Sequence, residues 1–117
     1  MKCLYWNVRG FANQPTKLAV KRLILKHKHD LCFLGEPWMA LDKISPAFFS
    51  RLNLRIFTMS QRNGLLPNLW YLYASQLDPQ IILQDDQHVS FVINDGPYNF
   101  GMVVTYASTS YIKRREL

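Results

Sequence analysis

Cysteine is scarce in this chain, and its two copies, Cys3 and Cys32, are placed without pattern. There is no Cys-x-x-Cys and no Cys/His cluster at zinc spacing, which excludes a disulfide scaffold, a zinc finger and a dithiol redox site. Both cysteines fall inside apolar runs and are expected to be buried free thiols. Long apolar runs are also missing. No stretch approaches the ~18 residues of a spanning helix, and the opening MKCLYWNVRG is too short and too polar for a signal peptide. The expected setting is intracellular, with no membrane partner. Low-complexity tracts and internal repeats are absent, so neither a linker nor a solenoid is expected. Acid is thin: eight Asp and Glu stand against fourteen Lys and Arg, a net charge of +6. That balance favours polyanions, with a merely solvated basic surface as the plainer alternative.

What the chain does have is apolar and aromatic content. Of its 117 residues, 49% are hydrophobic and 14% aromatic, which suits one globular domain over residues 1–117 and excludes disorder.

The opening third reads as strand, helix, strand. Residues 2–8 form a near-continuous apolar run that reads as a buried strand, ended by Arg9-Gly10. Asn13 is placed to cap a helix with Pro15 in its first turn, and the helix is expected over 15–28. Ala19, Val20, Leu23, Ile24 and His27 share one face. Lys17, Lys21 and Lys28 line one flank, Arg22 and Lys26 the other, and between them Leu18 and Leu25 form a second apolar stripe. His27 is expected at the core edge and His29 in solvent. Residues 31–34 form a second strand, followed by Gly35-Glu36-Pro37. A strand–helix–strand of this length predicts a right-handed parallel crossover. Asn7 and Glu36 then stand at the carboxyl ends of neighbouring strands, where ligand-binding residues collect. An amide and a carboxylate there suit a divalent cation and a phosphate, although each alone reads equally as a turn or strand-end residue.

Ser45-Pro46 opens a second helix, expected to end near Asn53. Strands are then expected over 54–59, 69–74, 80–83, 88–93 and 101–106. Gln61-Arg62-Asn63-Gly64, Asp85-Asp86 and Asp95-Gly96-Pro97 supply turn chemistry. This part reads as an antiparallel meander. Asp85, Asp86 and His88 read as turn formers rather than a second metal site. Trp70 reads as core. Trp38, in a loop beside Glu36, reads as a surface contact for nucleic acid by stacking. Ser108-Thr109-Ser110 reads as a cap and 111–117 as the first turns of a helix without a stop signal, from which a fragment is expected.

Two segments carry a resemblance. Trp6-Asn7-Val8-Arg9-Gly10, then a helix, then Leu34-Gly35-Glu36-Pro37-Trp38-Met39, resembles the start of the endonuclease/exonuclease/phosphatase superfamily. More narrowly it is similar to the endonuclease domain of plant LINE-type (non-LTR) retrotransposons. Leu66-Pro67-Asn68-Leu69-Trp70 and the stretch from Val104 to Leu117 extend the likeness over the whole chain.

The resemblance implies an α/β (α+β) fold, the N-terminal half of a four-layer α/β/β/α sandwich: one parallel βαβ unit, then a mostly antiparallel meander. It implies Mg²⁺-dependent hydrolysis of a phosphodiester, DNA as partner, and a nuclear location if functional. Glu36 corresponds to the metal-binding glutamate and Asn7 to the amide beside it. Tyr106 matches the tyrosine near the scissile phosphate. Arg9, Trp38, Lys113, Arg114 and Arg115 are the candidate nucleic-acid contacts. The family also needs a later Gly-Asp-x-Asn segment and a final Asp-His pair, and the sequence contains neither. The reading is therefore the first half of an endonuclease domain, inactive alone. A non-catalytic nucleic-acid-binding remnant and a fragment of another superfamily phosphatase are the alternatives, and self-association through exposed sheet surfaces is expected.

Overall fold

A computed structural model describes residues 2–59, 66–85 and 88–105. The elements in chain order are β1 (Cys3–Asn7), α1 (Gln14–His27), β2 (Leu31–Gly35), a 3-10 turn (Leu41–Lys43), α2 (Pro46–Ser50), β3 (Leu54–Met59), β4 (Leu69–Ala74), β5 (Pro79–Gln84), β6 (His88–Asp95) and β7 (Tyr98–Thr105). The expected turn at 61–64, Asp86, Tyr106 and everything after it lie outside the described residues.

The βαβ unit forms because each piece carries its own start and stop. The Thr16 N–H donates to the Asn13 side chain at 2.8 Å, satisfying one of the orphan donors of α1, and Pro15 sits in the first turn where no N–H is needed. Lys28 adopts the left-handed conformation and its N–H closes on the Ile24 carbonyl at 2.7 Å, ending the helix. The chain then returns to lay β2 parallel to β1, with Cys3 opposite Leu31 and Asn7 opposite Gly35.

The remaining strands do not form one continuous meander. β4 lies antiparallel between β2 and β3, giving a mixed four-stranded sheet of order β1-β2-β4-β3. β5, β6 and β7 form a separate antiparallel sheet in sequence order. The antiparallel strands expected after α2 are thus present, divided between the two sheets that an α/β/β/α sandwich has. Adjacent pairing cannot satisfy both faces of β2 and β4, which are apolar on each side and need cover above and below.

That cover comes in layers. Cys32, Leu34, Trp70 and Leu72 face the helices and pack with Phe11, Val20, Ile24 and Phe49. Leu31, Phe33, Leu69 and Tyr71, the alternate residues of the same strands, face the second sheet and pack with Val89, Phe91, Ile93 and Val104. Phe57 stacks edge-on against Phe91 with centroids 5.1 Å apart, and Gln84 donates to the Met59 carbonyl at 2.6 Å, so the sheets are joined by packing and by hydrogen bond.

β1 is the edge of its sheet, not a buried strand. Leu4 and Trp6 pack toward the helices, while Cys3, Tyr5 and Asn7 on the other face are exposed because the second sheet does not reach over them. Cys3 is therefore exposed, against expectation, and Cys32 is buried as expected. The two histidines trade places. His27, the last residue of α1, is in solvent, and the left-handed turn at Lys28 ends the helical periodicity and leaves His29 half-buried. α2 is shorter than expected, and a turn over 51–53 ends at Asn53, also left-handed. Leu18 and Leu25 stay exposed, a stripe with no apolar partner among the described residues.

Candidate functional site

The carboxyl ends of β1 and β2 meet the entry to β4 in a small network of main-chain bonds. Val8 N–H donates to the Gly35 carbonyl (2.8 Å), Gly10 N–H to Glu36 (2.8 Å) and Phe11 N–H to Pro37 (2.9 Å). The Glu36 N–H in turn donates to the Asn68 carbonyl at 2.9 Å. The parallel ladder thus continues past the strand ends and ties three segments together. Phe11 anchors the rim from below: it is fully buried, with its ring 5.3 Å from Trp70 and 5.8 Å from Phe49.

Backbone strain collects at this rim. Arg9 (φ 49°), Glu36 (φ 50°) and Trp38 (φ 57°) are left-handed, and Gly10 has φ 103°. For L residues this conformation costs of order 1 kcal/mol or more each, and it persists where the surroundings impose it, most often at functional sites. Two of the three belong to the Glu36-Pro37-Trp38 turn.

Asn7 and Arg9 are exposed, Glu36 is half-buried and Trp38 is 60% exposed. Among the described residues neither the Asn7 amide, the Glu36 carboxylate nor the Arg9 guanidinium enters a hydrogen bond or ion pair within the protein. A half-buried carboxylate and a neighbouring amide with free oxygens are hard donors, the type Mg²⁺ takes together with water and substrate phosphate. Two donors are an incomplete set, and no group of three or more His, Cys, Asp or Glu that could hold a metal occurs among the described residues.

Four candidate residues, Tyr106, Lys113, Arg114 and Arg115, lie outside the described residues. Arg9 and Trp38 flank Asn7 and Glu36 on the same two loops. Asp85 closes the turn into β6, accepting from the His88 N–H at 2.7 Å and lying 3.1 Å from His88 Nδ1, as a turn former does. Two contributors escaped the sequence reading. Asn68 holds the Glu36 backbone through its carbonyl, and Gly10 makes room for Trp38: a Cβ there would come within 3.1 Å of Trp38 Cε3. The Arg-Gly and Pro-Asn dipeptides were the available signals.

Charge is polarised along the chain. Every Lys and Arg among the described residues lies at or before Arg55, and residues 66–105 hold four Asp with no cation. Among the described residues the positive charge thus lies in the layer that carries Asn7 and Glu36. A cavity of about 900 Å³, lined by Ile44, Phe49, Leu54, Ile56 and Met59 among others, does not include Asn7 or Glu36 in its wall. Its apolar wall suits packing, not phosphate chemistry.

Among solved structures the chain is similar to the endonuclease domain of TRAS1, a telomere-specific non-LTR retrotransposon, with a TM-score of 0.64 at 16% identity. The fold is endonuclease-like. The likeness covers 91% of this chain and 44% of that one, so the chain spans less than half the length of its structural neighbour. No protein-family model matches, and no curated protein does.

Proposed function

We propose that this chain is the first half of a Mg²⁺-dependent DNA endonuclease domain of retrotransposon origin. What supports the reading is that Asn7 and Glu36 stand at the carboxyl ends of two paired parallel strands, Asn7 in register with Gly35, in an endonuclease-like fold, and that among the described residues neither side chain enters a hydrogen bond or ion pair. Glu36 and the Asn7 amide oxygen would hold the cation, which when bound stabilises charge on a phosphodiester. In this reading Arg9 and Trp38 contact the nucleic acid from the same rim, and Tyr106, Lys113, Arg114 and Arg115, outside the described residues, keep the phosphate-side roles that the resemblance implies.

The 117 residues hold no Gly-Asp-x-Asn segment and no histidine after His88, so the groups that in the family activate water and complete the phosphate site have no counterpart in them. Catalytic groups that work as a unit lose most of their rate when one is missing. The chain alone is expected to leave supercoiled plasmid uncut in Mg²⁺, while binding DNA in a salt-dependent way. Nicking that disappears in Glu36→Gln would overturn the inactivity. Failure to bind DNA at low salt would overturn the nucleic-acid reading itself.

The second reading, a non-catalytic nucleic-acid-binding remnant, is favoured by the concentration of cations before Arg55. It differs in needing neither Glu36 nor Mg²⁺.

A further inference from the structure

We propose that Trp38 is a stacking platform for an unpaired nucleobase, so that this site takes single-stranded or locally opened DNA beside the phosphate it holds. The proposal rests on the nucleic-acid reading above and adds the substrate form.

Three tryptophans occur, and two are accounted for. Trp70 is fully buried and in ring contact with Phe11 and Phe49. Trp6 packs, half-buried, on the helix-side core. Trp38 is 60% exposed and, among the described residues, in no aromatic cluster. An exposed indole costs hydration, and this one packs one side against the main chain. Its six-membered ring lies against Gly10, where even a methyl group would come within 3.1 Å of Cε3 and 3.6 Å of Cζ3. Gly10 adopts φ 103°, a conformation L side chains rarely take, so the seat requires glycine twice over.

The loop supporting the indole is equally constrained. Trp38 and Glu36 are left-handed on either side of the buried Pro37, whose carbonyl accepts from the Phe11 N–H at 2.9 Å. Both strands of the rim thus spend backbone strain on presenting one flat apolar surface to solvent, two residues from the Glu36 carboxylate. Arg9, exposed on the facing loop, supplies a charge for the phosphate next to a stacked base.

A base inside an intact duplex has both faces covered by its neighbours. Only a base out of the stack can use such a platform, because stacking on an aromatic side chain needs an open π-face. Stacking of this kind tolerates any base, so the platform selects strand state and not sequence.

The test compares a short oligothymidylate with a matched blunt duplex, both fluorescently labelled, against the whole chain at low salt, with tryptophan emission followed in parallel. Expected are quenching of the exposed indole by the single strand and a loss of about fivefold or more in single-strand affinity for Trp38→Ala. Trp38→Phe should retain most of the single-strand affinity. Gly10→Ala should weaken single-strand binding while keeping the indole, because the seat is displaced. The wild-type quenching carries the test if Trp38→Ala does not fold. Salt-sensitive duplex binding with no quenching and no effect of Trp38→Ala on the single strand would overturn the platform and leave the nucleic-acid reading standing. Absence of binding to either DNA would overturn both.

Discussion

The backbone of Glu36 is bonded to Asn68: the Glu36 N–H donates to the Asn68 carbonyl at 2.9 Å, across the entry to β4. The candidate metal-binding carboxylate is thus held by a segment thirty-two positions away in sequence, and held in a left-handed conformation at φ 50°. Strain at a carboxylate has a measurable consequence. Replacing Glu36 by glycine relieves roughly 1–2 kcal/mol of steric cost and adds roughly 0.5–1 kcal/mol of unfolded-state entropy. Glu36→Gly should therefore leave unfolding stability unchanged within about 1 kcal/mol or raise it, while Glu36→Val, β-branched, should lower it clearly. Urea denaturation of both variants checks this. A destabilised Glu36→Gly would mean that the side chain serves the fold.

The two glycines of the rim should behave differently. At Gly35 an added Cβ would meet Asn7 Cα at 3.6 Å and Leu69 Cδ1 at 3.8 Å, ordinary contacts. At Gly10 it would press on Trp38 at a forbidden φ. Gly35→Ala should cost under about 1 kcal/mol and Gly10→Ala roughly 1–3 kcal/mol. Thermal melts of the pair report the difference.

Phe11 holds the rim to the core through rings of Phe48, Phe49 and Trp70. Phe11→Ala should cost about 3–5 kcal/mol, the usual range for a buried aromatic, and so threaten folding altogether. Asn13→Ala, which removes only the cap of α1, should cost about 1 kcal/mol.

His29 gives the chain a pH dependence. Burial first, then the nearby His27 and Lys2, holds its pKa below the ordinary 6.5. Its buried Nδ1 has no hydrogen-bond partner among the described residues. Above 6.5 the ring is neutral folded or unfolded, and the group costs nothing. As pH falls below 6.5 the unfolded chain takes up a proton that the folded chain resists, so stability falls until the folded pKa is passed. His29→Gln should flatten the melting temperature over that window, with no change at higher pH. An equal slope in the variant would place the effect elsewhere.

The cysteines separate by access. Burial pushes the Cys32 thiol up to about 12 and removes it from solvent, whereas Cys3 is exposed on edge strand β1. A thiol reagent at neutral pH should label Cys3 alone in the native chain and both after unfolding.

Much of this fold was legible because the informative signals are local. Asn13 and Pro15 announce α1, and the apolar runs of β2 and β4 reflect strands covered on both faces. Asn7 and Glu36 follow from where those runs stop. What was not legible is non-local. The run Leu4-Tyr5-Trp6 reads as buried, but whether Tyr5 is covered depends on how far the second sheet extends, and it is 49% exposed. The insertion of β4 between β2 and β3 follows from pairing partners far apart in sequence. His29 is half-buried and not in solvent because one left-handed residue before it, Lys28, ends the helix and redirects the chain. The seat of Trp38 on Gly10 is a backbone conformation, and only the glycine hinted at it.

The most direct test of the central claim is duplex-DNA binding by fluorescence anisotropy at fixed ionic strength, with and without Mg²⁺, for the wild-type chain and Glu36→Gln. If Glu36 and Asn7 form half of a metal and phosphate site, Mg²⁺ strengthens binding by the wild type and not by Glu36→Gln. If both proteins respond to Mg²⁺ alike, or only lose affinity as a divalent competitor displaces them, the carboxylate holds no metal and the endonuclease reading of this rim is wrong.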